Sequence, residues 1–472
     1  MWTVTTDKPI HVPVASSLRQ LPRGIVAGYA AGSIGTGGFG VLPGLVLAYY
    51  LTDTLGVSAV WASVVVVLPK IVDVIVNPLI GTLSDRSSYR TGTRVPLMVA
   101  GALGLPVLFV LTFTAPVHLG PVFGGTWVLV VFLLAAVTYS FFQVPYIALP
   151  TELTGDYHER TRLVSVRIAV LALTILLIGG GGPALRDSAG GGATGYLVMA
   201  VVVSAVMCAA MIWAVRGAAR HTVTRADAPV GSLASQYRDG FDALRRTRPF
   251  RQLVVVFVLQ ALATAVMLAG AQYLATYVMG NESALTAVFA ALVGPALVVM
   301  PLWYRFSHRY GKQRGYFVSS IVFLAATLFL VAAAVGAGVW IYGAVALAGI
   351  GYAGMQVFPL AMLPDVIEED ARIGGRLRGG SLSGVWTAAE TAGMALGPAV
   401  FLGVLATTGF VSSTAAESVT QPDSAVVGIA LGFSVVPAFL VTISLVVLRR
   451  FTAENTTTRA EVEVDGKTGE SR

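Results

Sequence analysis

The stretch LPKIVDVIVNPLIGTLSDR, residues 68–86, is the most informative part of this chain about its fold, because an apolar run and the charged loop that ends it meet there. The run contains Lys70, Asp73 and Asn77 among residues that otherwise indicate a buried helix. These residues are three and four positions apart, a spacing that places them along one face of a helix. The stretch therefore predicts a membrane helix with one polar face.

A repeat links this stretch to the second half of the sequence. PLIGTLSDR at 78–86 is similar to PLWYRFSHR at 301–309, and each ends the second apolar span of its half. QVPYIALPTEL at 143–153 is similar to QVFPLAMLPDV at 356–366, and each ends a fourth span. Two matches in the same order indicate a repeat of six spans, the arrangement of a transporter whose site lies between the halves.

The composition points to lipid as the solvent. Of the 472 residues, 56% are hydrophobic and 12% are charged, and this charged share is about half that of an ordinary soluble domain. Apolar windows of roughly 20 residues, long enough to span a bilayer, recur along the whole sequence. We therefore predict an all-α membrane protein with twelve transmembrane helices in two pseudo-symmetric six-helix bundles. The predicted spans are 24–51, 58–82, 93–114, 126–152, 163–185, 193–215, 251–279, 284–304, 315–335, 338–364, 382–408 and 425–448.

The net charge of +7 does not indicate nucleic acid as a partner, because Lys and Arg concentrate in alternate loops. This asymmetry is typical of cytoplasmic loops and places both termini in the cytoplasm. A composition rich in Arg, Ala, Gly and Val favours a bacterial source, so we expect a multi-pass inner-membrane protein. In the intervening loops the basic residue is Arg186, whereas the acidic residues are Asp53, Asp187, Glu282, Glu417 and Asp423.

Four segments follow from these patterns. An N-terminal six-helix bundle covers 1–215, and a charged cytoplasmic loop covers 216–250. A C-terminal six-helix bundle covers 251–450. The polar tail at 451–472 lacks large apolar residues, and we expect it to be disordered in the cytoplasm.

The sequence contains little that indicates an enzyme. The five histidines lie in tails or loops without metal-ligand spacing, and no phosphate-binding lysine motif occurs. GTGGFG at 35–40 matches a dinucleotide-binding pattern but lies inside the first apolar span. Its small residues suit close helix approach, or a helix that bends during transport. We therefore expect no enzyme activity, no bound metal and no cofactor.

Intramembrane charges are the candidate site residues. An ionised group in hydrocarbon costs at least ~2.5 kcal/mol on insertion scales, so such residues are functional candidates. Lys70, Asp73 and Asn77 predict an ion or proton site facing a water-filled cavity, or else a Lys70–Asp73 pair that only stabilises packing. In the eleventh span, Glu390 lies near Trp386, which could stack on a substrate; alternatively, Glu390 bonds a hydroxyl of a neighbouring helix.

Charged loops are the candidate gating segments. In the outward-open state, we expect Asp85 with Arg86, and their counterparts Asp365 and Arg378, to close the cytoplasmic face. Arg90 and Arg94 continue the first of these loops. The simpler alternative is a solvated loop that only sets topology.

Three segments carry a family resemblance. KIVDVIVNPLIG at 70–81, YHERTRLVSVR at 157–167 and LPDVIEEDARIGGRLRG at 363–379 together resemble the glycoside–pentoside–hexuronide:cation symporters. This melibiose-carrier branch belongs to the major facilitator superfamily, and the resemblance covers essentially all twelve predicted spans. It implies the major facilitator fold and cation-coupled transport.

The resemblance also assigns roles to individual positions. It implies that Asp73 binds the coupling cation, with Lys70 one turn before it and Asn77 in place of a second family carboxylate. Ser140 matches a hydroxyl neighbour of that site. Arg167 falls near a family arginine on the fifth span.

Substrate positions depart from those of sugar-transporting relatives. Gly37, Gln143 and Ile147 stand where those relatives have an aspartate, a second aspartate and a stacking tryptophan, and the usual lysine of the eleventh span falls at Thr391 or its neighbour Ala392. Together with Tyr146, Arg167, Trp386 and Glu390, they are the predicted lining of the substrate path. Distant relatives in the branch carry lysophospholipids, so an amphiphile is an alternative to a sugar.

We expect a cation-coupled symporter of a small organic solute, a sugar or glycoside by resemblance, that works by alternating access as a monomer. Asn77 lowers the negative charge available to sodium, which favours a proton over sodium as coupling ion. The rivals are an exporter of a drug, metabolite or lysolipid, a channel, and a non-transporting receptor or assembly subunit. The expected partners are the solute and the lipid bilayer.

Overall fold

The computed structural model describes residues 21–154, 156–221, 244–374, 379–414 and 419–469. Within them, twelve helices are long and apolar enough to cross a membrane, which confirms the predicted number of spans. We name these helices α1 to α12 in chain order. Their bounds are α1 Arg23–Tyr49, α2 Ala59–Thr91, α3 Val95–Thr112, α4 Pro121–Leu153, α5 Tyr157–Ser188, α6 Gly192–Gly217, α7 Arg248–Tyr273, α8 Ala284–Tyr310, α9 Lys312–Phe329, α10 Trp340–Gly374, α11 Gly379–Thr407 and α12 Asp423–Gly469.

The helices extend beyond several predicted spans. Single π-helical turns lengthen α1 through Tyr50–Thr54 and α7 through Leu274–Val278. The helix α12 runs to Gly469, through most of the tail that the sequence predicts to be disordered. A helix that continues an existing span needs no new nucleus, so a polar extension costs less than an isolated helix. Most of the central loop, 222–243, lies outside the described residues.

The packing follows the six-plus-six repeat. The second helix of the first half, α2, packs on the fifth helix of the second half, α11, and α5 packs in the same way on α8. The first helices of the halves, α1 and α7, contact each other and are the most enclosed, with 78% and 72% of their apolar windows buried. The interface between the bundles therefore lies along α1 and α7, where the sequence predicts the site.

The glycine run of α1 serves close packing. A Cβ atom on Gly37 would lie 2.8 Å from Cδ1 of Leu171 and 3.2 Å from Cγ2 of Thr174, both on α5. On the other side of α1, a Cβ on Gly35 would lie 2.3 Å from Cγ of Met211 on α6. The absence of side chains therefore lets α1 fit between α5 and α6. The structure places Gly37 in this helix contact.

Candidate functional site

The carboxylate of Asp73 is the centre of a polar cluster in the first half. Asp73 is 8% exposed, and the hydroxyl of Ser140 donates a 2.7 Å hydrogen bond to its Oδ1. Ser140 is fully buried on α4, which packs along α2. Packing of α2 on α4 thus joins two residues that are 67 positions apart in the chain.

Asn77 and Lys70 flank this carboxylate along α2. The Oδ1 atom of Asn77 is buried and has no hydrogen-bond partner in the described part of the chain. Lys70 is partly buried, and no ion pair between Lys70 and Asp73 occurs among the described side chains. In this conformation the two side chains therefore interact electrostatically without forming a direct ion pair.

Tyr139 belongs to this cluster, although the sequence analysis did not single it out. It neighbours Ser140 on α4, and its ring centroid lies 4.8 Å from that of Phe39 on α1. Its hydroxyl interacts electrostatically with Asp73, Arg167 and Tyr146. The adjacent hydroxyl of Ser140 was the sequence signal that could have pointed to this tyrosine.

Arg167 and Tyr146 form the next part of the cluster. The guanidinium carbon of Arg167 lies 5.3 Å from the centroid of the Tyr146 ring. Tyr146 is fully buried and donates a 2.6 Å hydrogen bond to the carbonyl oxygen of Tyr29, while Ser33 Oγ lies 3.0 Å from its hydroxyl. Tyr146 therefore ties α4 to α1 and supports the arginine, which approaches from α5.

Several polar atoms of this region have no partner among the described residues. They are Oδ1 of Asn77, Oε1 of Gln143 and Nε of Arg167, and all three are buried. Buried polar groups in proteins are usually hydrogen-bonded, so a group of unpaired ones suggests a site for water, an ion or a substrate. Both donor and acceptor atoms occur, which suits a hydroxyl-bearing ligand.

The candidate residues of the second half include a pair of stacked aromatic rings. Trp386 on α11 is 3% exposed, and its ring stacks on Phe257 of α7 at 4.3 Å between centroids and 16° between planes. Its Nε1 atom is buried without a described partner. One face of the indole is thus occupied by Phe257, and the free group is the N–H donor.

The remaining predicted residues lie in varied surroundings. Glu390 is partly buried and interacts electrostatically with Tyr352 of α10. The Thr391 hydroxyl donates a 2.9 Å bond to the carbonyl oxygen of Thr387, one turn earlier in its own helix. Ile147 is 51% exposed. The structure therefore groups the polar residues of α2, α4 and α5 more closely than those of α11.

The two halves are joined at the end of the bundle that carries the α1–α2 and α7–α8 loops, here called the closed end. Thr52 Oγ1 lies 2.7 Å from the hydroxyl of Tyr273, and Tyr277 donates a hydrogen bond to Asp53. The backbone N–H of Ser413 donates a 2.9 Å bond to the Thr52 carbonyl. Asp53, which the sequence suggested was a loop charge, is 8% exposed because these contacts cover it.

Arg186 is the second cross-half link at the closed end. Its side chain is fully buried, and Nη1 donates 3.0 Å and 3.2 Å hydrogen bonds to Gln272 of α7 and Tyr196 of α6. Nη2 lies 2.6 Å from Asp187 and 3.9 Å from Glu282. The lone arginine of the acidic loops is thus an internal link, which its position in the sequence did not reveal.

At the opposite end, the described ion pairs lie within each half. Arg94 is 5% exposed and donates 2.8 Å and 2.6 Å bonds to Glu152 of α4 and Ser84 of α2. Asp365 pairs with Lys312 at 2.8 Å. Arg86 and Arg90 are exposed. The Asp85 side chain and Arg378 lie outside the described residues, so their predicted gating role stays a prediction.

Sequence comparisons place these features among transporters. The family described as MFS/sugar transport protein matches residues 28–455. The chain is 24% identical over 492 residues to "Uncharacterized symporter sll1374" of Synechocystis sp., covering 87% of this chain and 90% of that protein. It is 21% identical over 437 residues to "Glucuronide carrier protein homolog" of Escherichia coli, covering 91% and 92%.

A solved structure has the same fold. The crystal structure of the nucleoside transporter NupG matches with a TM-score of 0.63 at 13% identity, covering 92% of this chain and 99% of that chain. At this identity the likeness concerns the arrangement of helices alone. It confirms the major facilitator architecture that the sequence predicts.

Proposed function

Because the chain belongs to the MFS/sugar transport family, in its glycoside–pentoside–hexuronide:cation symporter branch, we propose that it couples uptake of a sugar or glycoside to a proton. Membership makes the protein a membrane transporter and not an enzyme. The coupling ion and the solute class are the proposal. The observation that carries it is the buried Asp73 carboxylate, held by Ser140 beside unpaired polar atoms.

A proton suits this site better than sodium. Sodium favours several hard oxygen ligands with net negative charge, and Asn77 supplies an oxygen without the charge of a carboxylate. The ammonium group of Lys70, one turn away on α2, repels a metal ion in a poorly screened interior. A proton needs one titratable carboxylate, and Asp73 provides it.

The polar atoms near Asp73 favour a hydroxylated solute. Gln143 offers an acceptor, Arg167 offers a donor, and both atoms are buried without described partners. Their cluster contains Asp73, so a bound solute would contact the coupling region directly. The name of the glucuronide carrier homolog supports a sugar derivative for this chain as well.

The closed end is assigned to the outside of the cell. The loops at this end carry Asp187, Glu282 and Asp423, whereas the arginine-rich loops lie at the other end, which the positive-inside rule places in the cytoplasm. Contacts through Asp53 and Arg186 would thus seal the outer face. Alternating access requires these contacts to break as the cytoplasmic face closes.

The test begins with purified protein and a solute screen. Sugars, glycosides, glucuronides and lysophosphatidylcholine are compared by thermal shift, because a ligand of the folded state raises the melting temperature. The solute that stabilises the protein is then used for uptake into proteoliposomes with an imposed pH or sodium gradient. We expect a glycoside to stabilise the protein and a pH gradient to drive its accumulation.

Asp73→Asn should abolish gradient-driven accumulation. The matched control is Asp423→Asn, which removes the same charge from an exposed position at the start of α12 and should transport normally. Accumulation that needs sodium and ignores pH contradicts proton coupling. Stabilisation by lysophosphatidylcholine alone contradicts the sugar assignment.

A further inference from the structure

A shallow surface depression, here called the cavity, lies at the end of α8, in the half of the protein that does not contain Asp73. Its volume is about 480 Å³, and Tyr304, Arg305, His308 and Arg309 line it. The ring centroids of Tyr304 and His308 are 4.4 Å apart, and the Arg309 guanidinium carbon lies 5.4 Å from the centroid of the Tyr310 ring. The aromatic rings thus lie beside the cationic groups.

The internal repeat makes this cavity unusual. PLWYRFSHR at 301–309 corresponds to PLIGTLSDR at 78–86, and the paired positions carry different chemistry. Arg305 corresponds to Thr82, and His308 corresponds to Asp85. The copy in the second half therefore has an arginine in place of a threonine and an imidazole in place of an acid, so this helix end attracts anions more strongly than its first-half counterpart.

No carboxylate neutralises the cavity in the described part of the chain. The sequence between Gly294 and Phe317 contains no acidic residue. Asp365 of α10 approaches this end of α8 but pairs with Lys312 at 2.8 Å. Arg305 and Arg309 form no ion pair with a described side chain. Among the described side chains, these two arginines therefore have no carboxylate partner.

An exposed apolar stripe leads into the cavity along the same helix. Val298 is 81% exposed and Leu302 is 62% exposed. Val298, Leu302, Arg305 and Arg309 are separated by four, three and four positions. All four side chains therefore lie on one face of α8. In a membrane-spanning helix, such a face presents apolar side chains to lipid tails and arginines to the headgroup region.

We propose that this cavity binds the phosphate headgroup of an anionic phospholipid from the surrounding bilayer. The two guanidinium groups and the Tyr304 hydroxyl donate to the phosphate oxygens, since arginine forms charge-assisted and often bidentate bonds with phosphate. The acyl chains lie along Leu302 and Val298. Apolar surface continuous with the basic cavity favours a lipid over free phosphate, which has no acyl chain to cover it.

Lipid binding to the purified full chain tests this proposal without a transport substrate. Native mass spectrometry measures the dissociation constants of dioleoyl phosphatidylglycerol and dioleoyl phosphatidylcholine in the same detergent. We expect the anionic lipid to bind at least about tenfold more tightly, because the choline cation of phosphatidylcholine offsets the attraction of its phosphate to the two arginines. The double variant Arg305→Gln/Arg309→Gln should lose this preference.

Two further variants make the result specific. Arg449→Gln/Arg450→Gln removes the same charge from exposed positions on α12 and should keep the preference. His308→Asp restores the acid of the first-half copy and should weaken phosphatidylglycerol binding even if the double variant fails to fold. An unchanged preference in either cavity variant overturns the proposal.

Free phosphate is the remaining alternative source of the anion. Millimolar inorganic phosphate is added to the phosphatidylglycerol titration, with sodium sulfate as the control for ionic strength. We expect both salts to weaken lipid binding equally, through screening. Specific displacement by phosphate, together with equal affinity for the two lipids, would assign the cavity to free phosphate and overturn the lipid assignment.

Discussion

The hydroxyl group of Tyr277 donates a hydrogen bond to the carboxylate of Asp53, across the boundary between the two halves of the protein. Asp53 ends α1 and Tyr277 lies in the turn that extends α7, so the bond joins the two most enclosed helices. Thr52 and Tyr273 form a second link beside it at 2.7 Å. The closed end therefore depends on hydroxyl groups placed against a buried acid.

Tyr277→Phe should weaken the closed end. The substitution keeps the ring but leaves the Asp53 carboxylate with one hydroxyl donor fewer, and an unmet buried acceptor costs about 1–3 kcal/mol. Ala48 is buried one turn before Thr52 on α1, and a cysteine placed there, in a Cys208→Ser background, should then react several-fold faster with a membrane-impermeant maleimide added outside intact cells. Tyr342→Phe, a matched change on α10, should leave the rate unchanged. Equal rates in both variants would show that the Tyr277 bond does not hold the outer face closed.

Arg186→Gln should lower the stability of the whole protein. Arg186 is fully buried, and its loss leaves Asp187, Gln272 and Tyr196 without their cationic partner. Breaking a buried ion pair by removing one partner costs about 3–5 kcal/mol. The melting temperature in detergent should fall clearly, whereas Arg216→Gln, at an exposed site near the end of α6, should have little effect. A wild-type melting temperature for Arg186→Gln would disprove the structural role.

Asn77→Asp should create a response to sodium. The added carboxylate lies one turn from Asp73 and supplies the second negative charge that the wild-type site lacks. Sodium chloride should then raise the melting temperature of the variant relative to choline chloride, while the wild type responds equally to both salts. Asn281→Asp, in the exposed α7–α8 loop, is the control. A sodium response in the wild type would instead favour sodium as the natural coupling ion.

Ser140→Ala should impair coupling more than solute binding. The hydroxyl of Ser140 donates a 2.7 Å bond to Asp73, and loss of a hydrogen bond to a charged group costs about 1.5–3 kcal/mol. Uptake driven by a pH gradient should fall about tenfold or more. The solute concentration that gives half of the maximal thermal shift should stay within a few-fold of the wild-type value. Ser140→Thr keeps the hydroxyl and should retain most uptake. Full activity of Ser140→Ala would remove this serine from the coupling site.

Part of the candidate site could be predicted from local pattern. Asp73 and Asn77 attract attention because a charge and an amide are costly in an apolar run, and Ser140 matched a family position. Glu152 gave no comparable signal, since a terminal glutamate suits many helices, and Tyr139 had only its position beside Ser140 to indicate it. Tyr139 interacts electrostatically with Asp73 and Arg167, and Glu152 binds Arg94 at 2.8 Å, only because α4 packs beside α2, α3 and α5.

Local sequence pattern was sufficient to predict the twelve spans, their division into two related halves and the polar face of α2. Those features depend on hydrophobicity, spacing and loop charge, which act locally along the chain. Helix packing, by contrast, places Gly37 in a close helix contact, stacks Trp386 on Phe257 and brings Asp53 to Tyr277. These pairs are distant in sequence, and helices in lipid choose their partners by shape and hydrogen bonding, because the hydrophobic pattern that places them in the membrane is nearly the same for every span.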